Sequence, residues 1–519
     1  MPNRSADTVY QLIKSLEKSE KRNFKLYMGR NTVQGDLKSV QLFDALDKME
    51  EYDEGLLLKK SPDIKKQQLS NMKAQLYRQI LASLRLMRDE ENIDIQLHEQ
   101  MDFARILYNK GLYHQSLKLL DKIKEHALSR FQYTFALQAI IFEKKIEGLH
   151  ITRSMEDRAE QLSRETEQVT AHLTLINKLS NLALQLYSWY IKMGHARDEK
   201  DVSALKLFYE TKLPPVEAAQ LGFYEKLYLW QCYCWYAFIL QDLLQYYRYT
   251  QKWVDLFSQH PYMIQIETGQ YIKGLHNLLG AHFMLGNGDK FNEALSLFEA
   301  FASSDCGNCN DNSRIQTFVY LQTARINKHF MEGTFSTGLE LVPEIENKLK
   351  EFELQLDRHR ILVFYYKIAC LYFGSGNNEK AIEYLNRIIH WKVDLRTDLQ
   401  CYSRLLHLIA HYELGNYDLL EYLIKSVFRF MAKMQNLSVV EEEIFGFLRK
   451  SFYMTPVKLK AAFKVLKEKL EKHQGKPLES RSYMYLDIIG WLESKIEGVP
   501  VQEVIRRRYM RGRKNGKKE

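Results

Sequence analysis

Cys306-Gly-Asn-Cys309 has the spacing of half a zinc site or of a redox pair. A structural zinc site takes four ligands, and no second pair of this spacing exists. Cys232 and Cys234 are two apart, which sends them to opposite sides of a helix. No thioredoxin-like strand–helix–strand pattern flanks 306–309, so an incidental loop pair is expected. His407 and His411 are four apart and share a helix face. Leu408 stands where a zinc protease motif would carry its glutamate, so these read as a hydrogen-bonded or partly exposed pair, not metal ligands. The acids Asp89, Glu90 and Glu91, and Glu441, Glu442 and Glu443, fall on charged helical faces and read as solvated. No phosphate-binding loop, dinucleotide fingerprint or nucleophile elbow occurs. The chain therefore reads as a non-enzyme with no cofactor and no metal.

The strongest charge feature is the end of the chain, "IRRRYMRGRKNGKKE". It holds Arg506, Arg507, Arg508, Arg511, Arg513, Lys514, Lys517 and Lys518 against the single acid Glu519. That is +7 of the formal +9, so residues 1–504 are nearly neutral. Such a cluster suits nucleic-acid phosphates, anionic lipid, or a solvated end that aids solubility.

The elements that must carry these residues are helices. Apolar residues recur at spacings of three and four along the 519 residues, as in Leu117, Leu119, Leu120 and Ile123, and there are only 9 prolines. No run of eighteen apolar residues exists: the richest, 228–240, is broken by Gln231. No signal peptide is legible, and six cysteines are too few for a disulfide scaffold, so a reduced, cytoplasmic setting is expected. The aromatic segment 223–257 reads mainly as core, with Tyr246, Tyr247 and Tyr249 too close in sequence to share one face.

The hairpin 363–389 is the most ordered local pattern. Counting from Leu362, Tyr365 is fourth, Ile368 seventh, Ala369 eighth, Tyr372 eleventh, Gly376 fifteenth, Ala381 twentieth, Leu385 twenty-fourth and Ile388 twenty-seventh. Ala369 and Ala381 are small where two helices touch, and Gly376 serves the turn. A second unit around Gly111 places Ala104 and Ser116 in the two small positions. Weaker turns recur at Gly194, Gly286, Gly333 and Gly415. These units resemble tetratricopeptide repeats. Spacings of 47, 43 and 39 residues from Gly286 exceed the usual repeat of about 34, so the likeness is degenerate. The chain also resembles the long helical-repeat proteins of bacteria, a likeness that brings no activity with it.

The resemblance implies an all-α, right-handed α-solenoid of degenerate tetratricopeptide-like hairpins. An N-terminal helical cap at 1–94 precedes the array at 95–453, followed by a C-terminal helical cap at 454–504 and the basic tail at 505–519. The inner face would carry Val363, Tyr366, Cys370 and Phe373 in one unit and His98, Met101, Arg105 and Tyr108 in the other. These lack the Lys and Asn pattern of the subfamily that clamps chaperone C-termini. The expected function is a scaffold or adaptor that takes a protein or peptide segment in an apolar-aromatic concave groove. The alternative is an RNA- or ribosome-associated factor that uses the tail. A regulator of DNA binding is disfavoured, because the first ninety residues hold no helix-turn-helix with a basic recognition helix.

Overall fold

The computed structural model describes residues 7–30, 34–60, 64–87, 92–150, 157–216, 221–353, 355–391, 397–434, 437–451, 454–473 and 487–515. Among these residues every regular element is a helix. The chain forms two units, Met1–Gln100 and Met101–Glu519, and the division falls inside the helix Ile93–Asn109.

In the first unit, Asp7 caps the helix Thr8–Ser15 by accepting from the amides of Val9 and Tyr10 at 3.1 Å. Its stripe of Val9, Ile13 and Leu16 is buried with Phe24, Leu42, Phe43, Leu46 and Met49. Leu69, Leu76 and Ile80 of Lys66–Leu86 close the same core. Ser19 falls inside the helix Lys18–Arg30. The Ser61-Pro62 pair, a sequence pattern that suits a helix start, lies outside the described residues.

In the second unit, helices pack in pairs and each pair on the next. The pairs include Tyr113–Ser129 with Tyr133–Leu149, Phe223–Ile239 with Leu243–Gln259, and Arg358–Ser375 with Asn378–Ile389. Ala369 and Ala381 are fully buried between the last two, where larger side chains would push the backbones apart. Ser116 meets the other small position, donating to the Ala104 carbonyl at 2.8 Å. Gly111, Gly194, Gly286, Gly333, Gly376 and Gly415 all have positive φ, so the turns expected at these glycines are present. Two turns lacked that sign: Phe131 (φ 59) and Gln241 (φ 60) take the left-handed conformation without glycine. Gln241 hides a hairpin inside the aromatic segment, whose Phe223, Trp253 and Phe257 are buried. Tyr246 is buried there, while Tyr247 and Tyr249 are half-buried. Two features lengthen the glycine spacing between Gly286 and Gly376. The helix Asp311–Glu332 is long, and the short pieces Phe335–Gly338, Leu339–Leu341 and Val342–Glu351 follow Gly333 in place of one continuous helix.

The chain's end turns back on the unit. Thr455 precedes and Pro456 begins the helix Pro456–Glu471, and the "GKPLES" stretch at 475–480 lies outside the described residues. In Ile488–Glu497, Trp491 donates from Nε1 to Glu413 at 2.7 Å, and Lys495 pairs with the same carboxylate. The last helix, Val501–Asn515, packs on Asp311–Glu332 and Arg358–Ser375, far earlier in the chain. In a simple linear array a repeat touches only its neighbours. Here the last helix lies beside the turns at 286–288 and 333–336: the Ser336 hydroxyl donates to Gln502 Oε1 at 2.9 Å, and the Tyr509 ring packs on Gly288.

Candidate functional site

Met101, Arg105 and Tyr108 line one cleft with Asn109, Gln138, Ile141, Phe142 and Lys145. The cleft measures about 390 Å³ and lies between the helices Ile93–Asn109 and Tyr133–Leu149. Spacings of three and four on each helix turn these residues to one side. Met101 is buried at the floor, Tyr108 and Phe142 are half-buried, and Arg105, Gln138, Ile141 and Lys145 are exposed. Tyr108 and Phe142 meet edge to face at 5.5 Å, and Lys145 Nζ lies 5.4 Å over the Tyr108 ring. The cleft thus offers an aromatic floor with two cations at its rim. His98, the fourth residue expected there, is exposed in the first unit and is not among the lining residues.

In the hairpin around Gly376 the free stripe differs from the expected one. Val363 and Cys370 are half-buried, but Tyr366 and Phe373 are only 5% and 7% exposed and belong to the core. The helix Arg358–Ser375 packs against several neighbours, including the last helix, and Tyr366 and Phe373 are buried in the shared core. Arg360, Val363, Lys367 and Cys370, again spaced by three and four, are half-buried along one side of this helix. Arg360 and Lys367 were missed in the sequence, although a basic stripe at 360 and 367 and a Lys273–His276 pair on an apolar helix are both legible there. Burial pushes the Lys367 ammonium down to about 8 and the Cys370 thiol up to about 12.

The basic end is not a free tail at its start. Residues 505–515 belong to the helix Val501–Asn515, and Val504 and Ile505 are buried. Arg507 pairs with Glu503 at 2.9 Å and Glu497 at 3.3 Å. Arg508 pairs with Glu493 at 2.7 Å and Asp487 at 3.2 Å. Arg506 and Arg511 are exposed. The side chains of Arg513 and Lys514, and all of Lys517 and Lys518, lie outside the described residues. A chain cut at Val504 therefore loses packing as well as charge.

His407 and His411 are buried with Nε2 atoms 3.3 Å apart, and burial pushes His407 down to about 4. His411 also meets the Asn416 side chain at 3.0 Å, so the pair is hydrogen-bonded. Cys306 lies in the short 3-10 turn Cys306–Asn308, and Cys309 is exposed beside it. Among the described residues no helix is long and apolar enough to cross a membrane. No family model, no curated protein and no solved structure matches this chain.

Proposed function

We propose that residues from Met101 onward form a right-handed α-solenoid of tetratricopeptide-like hairpins that works as a non-enzymatic scaffold. In this reading it captures a segment of a partner protein along its concave face. The observation that carries it is the cleft of Met101, Arg105, Tyr108, Ile141, Phe142 and Lys145. Met101, Arg105 and Tyr108 hold the inner-face positions that the repeat resemblance implies, and the aromatic floor and charged rim suit a helix or an extended segment. The RNA-linked alternative has less support, because Arg507 and Arg508 are already ion-paired within the fold.

The test is affinity capture from the native cells with the full chain and with the double variant Arg105→Glu/Lys145→Glu. Both positions are exposed, so the variant should melt within about 0.5 kcal/mol of the parent. It should lose at least about tenfold of a specific partner, the size expected when rim charges are reversed. Equal recovery by both proteins would contradict the assignment of this cleft.

A further inference from the structure

This inference rests on the partner-binding reading and concerns a second place on the same unit. The helices Thr268–Met284, Asp311–Glu332 and Arg358–Ser375 pack one on the next. The first carries Lys273 and His276, the third carries Arg360 and Lys367, and the middle one supplies Tyr320 and Asn327 between them. His276 stacks on Tyr320 with ring centres 4.2 Å apart, and the Arg360 guanidinium lies 5.5 Å from the same ring. Lys367 Nζ donates to Asn327 Oδ1 at 2.5 Å. Lys273 Nζ sits 4.6 Å over Tyr187 and 5.3 Å over Trp235.

The group has little counter-charge among the described residues. Among the described residues its one ion pair is from Arg360 to Asp357 at 3.2 Å, and neither lysine has a carboxylate partner. Both lysines and His276 are half-buried, and burial pushes all three toward neutrality, His276 to about 3. The imidazole is therefore a neutral hydrogen-bonding group near three like charges, each of which further disfavours its protonation. Holding cations partly out of water with no anion beside them is unfavourable, and an anionic ligand removes that cost.

We propose that Lys273, His276, Arg360 and Lys367 form a binding face for the carboxylate side chains of an acidic, extended segment of a partner protein. The cations stand on helices separated by Tyr320 and the middle helix, which suits charges strung along a chain. Val363 and Cys370, between Arg360, Lys367 and the end of that stripe, offer apolar contact for intervening residues. The aromatic faces here are occupied: Tyr320 by His276 and Arg360, and Tyr187 and Trp235 by Lys273. That removes the stacking platforms on which single-stranded nucleic acid depends, and favours a peptide.

The experiment is fluorescence anisotropy on the full chain with a short labelled peptide alternating Glu and Leu. Its controls are the same peptide with Gln for Glu, and a labelled single-stranded RNA. The Glu peptide should bind and the Gln peptide should not. Lys273→Gln and Lys367→Gln should each weaken binding at least about tenfold, with Lys367→Arg partly restoring it and the exposed control Lys425→Gln unchanged. Circular dichroism melts check that each variant is folded. No binding of the Glu peptide, or equal binding by the folded variants, overturns the proposal. RNA binding lost in the same variants, with the peptide unbound, assigns the face to nucleic acid and overturns it as well. If the peptide fails while Arg105→Glu/Lys145→Glu still abolishes partner capture, the wider reading stands and this one alone falls.

Discussion

Gly333→Ala should loosen the C-terminal helix and cost more than about 3 kcal/mol, the sum of two separate penalties. Gly333 has φ +66, where an L side chain costs about 1–2 kcal/mol. Its added Cβ would also fall 2.6 Å from the Gln502 carbonyl oxygen and closer still to the Arg506 amide nitrogen. Those are backbone atoms of Val501–Asn515, which cannot rotate away as a side chain would. The helix must move, and with it Ile505 from the core and Tyr509 from Gly288. Gly376→Ala is the matched control, since φ is +91 but the Cβ would meet nothing within 4 Å. It should cost only the backbone term of about 1–2 kcal/mol. Denaturant midpoints give the energies, and trypsin cleavage at the arginines after Val504 reports release of the helix. Release should be faster in Gly333→Ala only. Identical behaviour of the two variants would show that the last helix is not anchored at this turn.

Glu143→Ala should cost about 3–5 kcal/mol, because it breaks a buried ionic network from its centre. Glu143 is fully buried on Tyr133–Leu149. It accepts from Lys124 Nζ at 2.6 Å and pairs with Arg158, joining the helices before and after its own. Lys124 also reaches Glu165 at 3.1 Å. Without the Glu143 carboxylate, two largely buried cations face each other with less than their former compensation. Replacing all three by apolar residues of similar size should cost much less, since the desolvation of the ions is then also removed. Urea unfolding of the single and triple variants measures both. A single-variant loss under about 1 kcal/mol would mean that the network is solvated rather than structural.

How much of this was legible depended on whether the signal was local. Gly111, Gly194, Gly286, Gly333, Gly376 and Gly415 could be read because a left-handed turn favours one residue type. Phe131 and Gln241 make the same turn without it, so the hairpin inside 223–257 left no mark. Ala369, Ala381, Ala104 and Ser116 were readable because close helix contact restricts size. Met101, Arg105 and Tyr108 came from the inner-face positions that the repeat resemblance implies, while the residues opposite them on Tyr133–Leu149 left no such mark. Tyr366 and Phe373 did not follow, because what covers a helix face is decided by helices distant in sequence. The return of Val501–Asn515 onto the turn at Gly333 is such a contact, and a basic composition gave no hint that Arg507 and Arg508 find acids within the fold. The cluster of Lys273, His276, Arg360 and Lys367 spans two helices joined through a third, which no single stretch of sequence displays.

The central claim is that a partner segment lies in the cleft between Ile93–Asn109 and Tyr133–Leu149. The most direct measurement places a photo-crosslinking amino acid at Ile141, which lines the cleft and is 56% exposed. The reference is the same probe at Leu207, which is 69% exposed and outside the cleft. Irradiation in the native cells should give a discrete adduct from position 141, suppressed by Arg105→Glu/Lys145→Glu, and none from position 207. No adduct at 141, or the same adducts from both positions, would contradict the account.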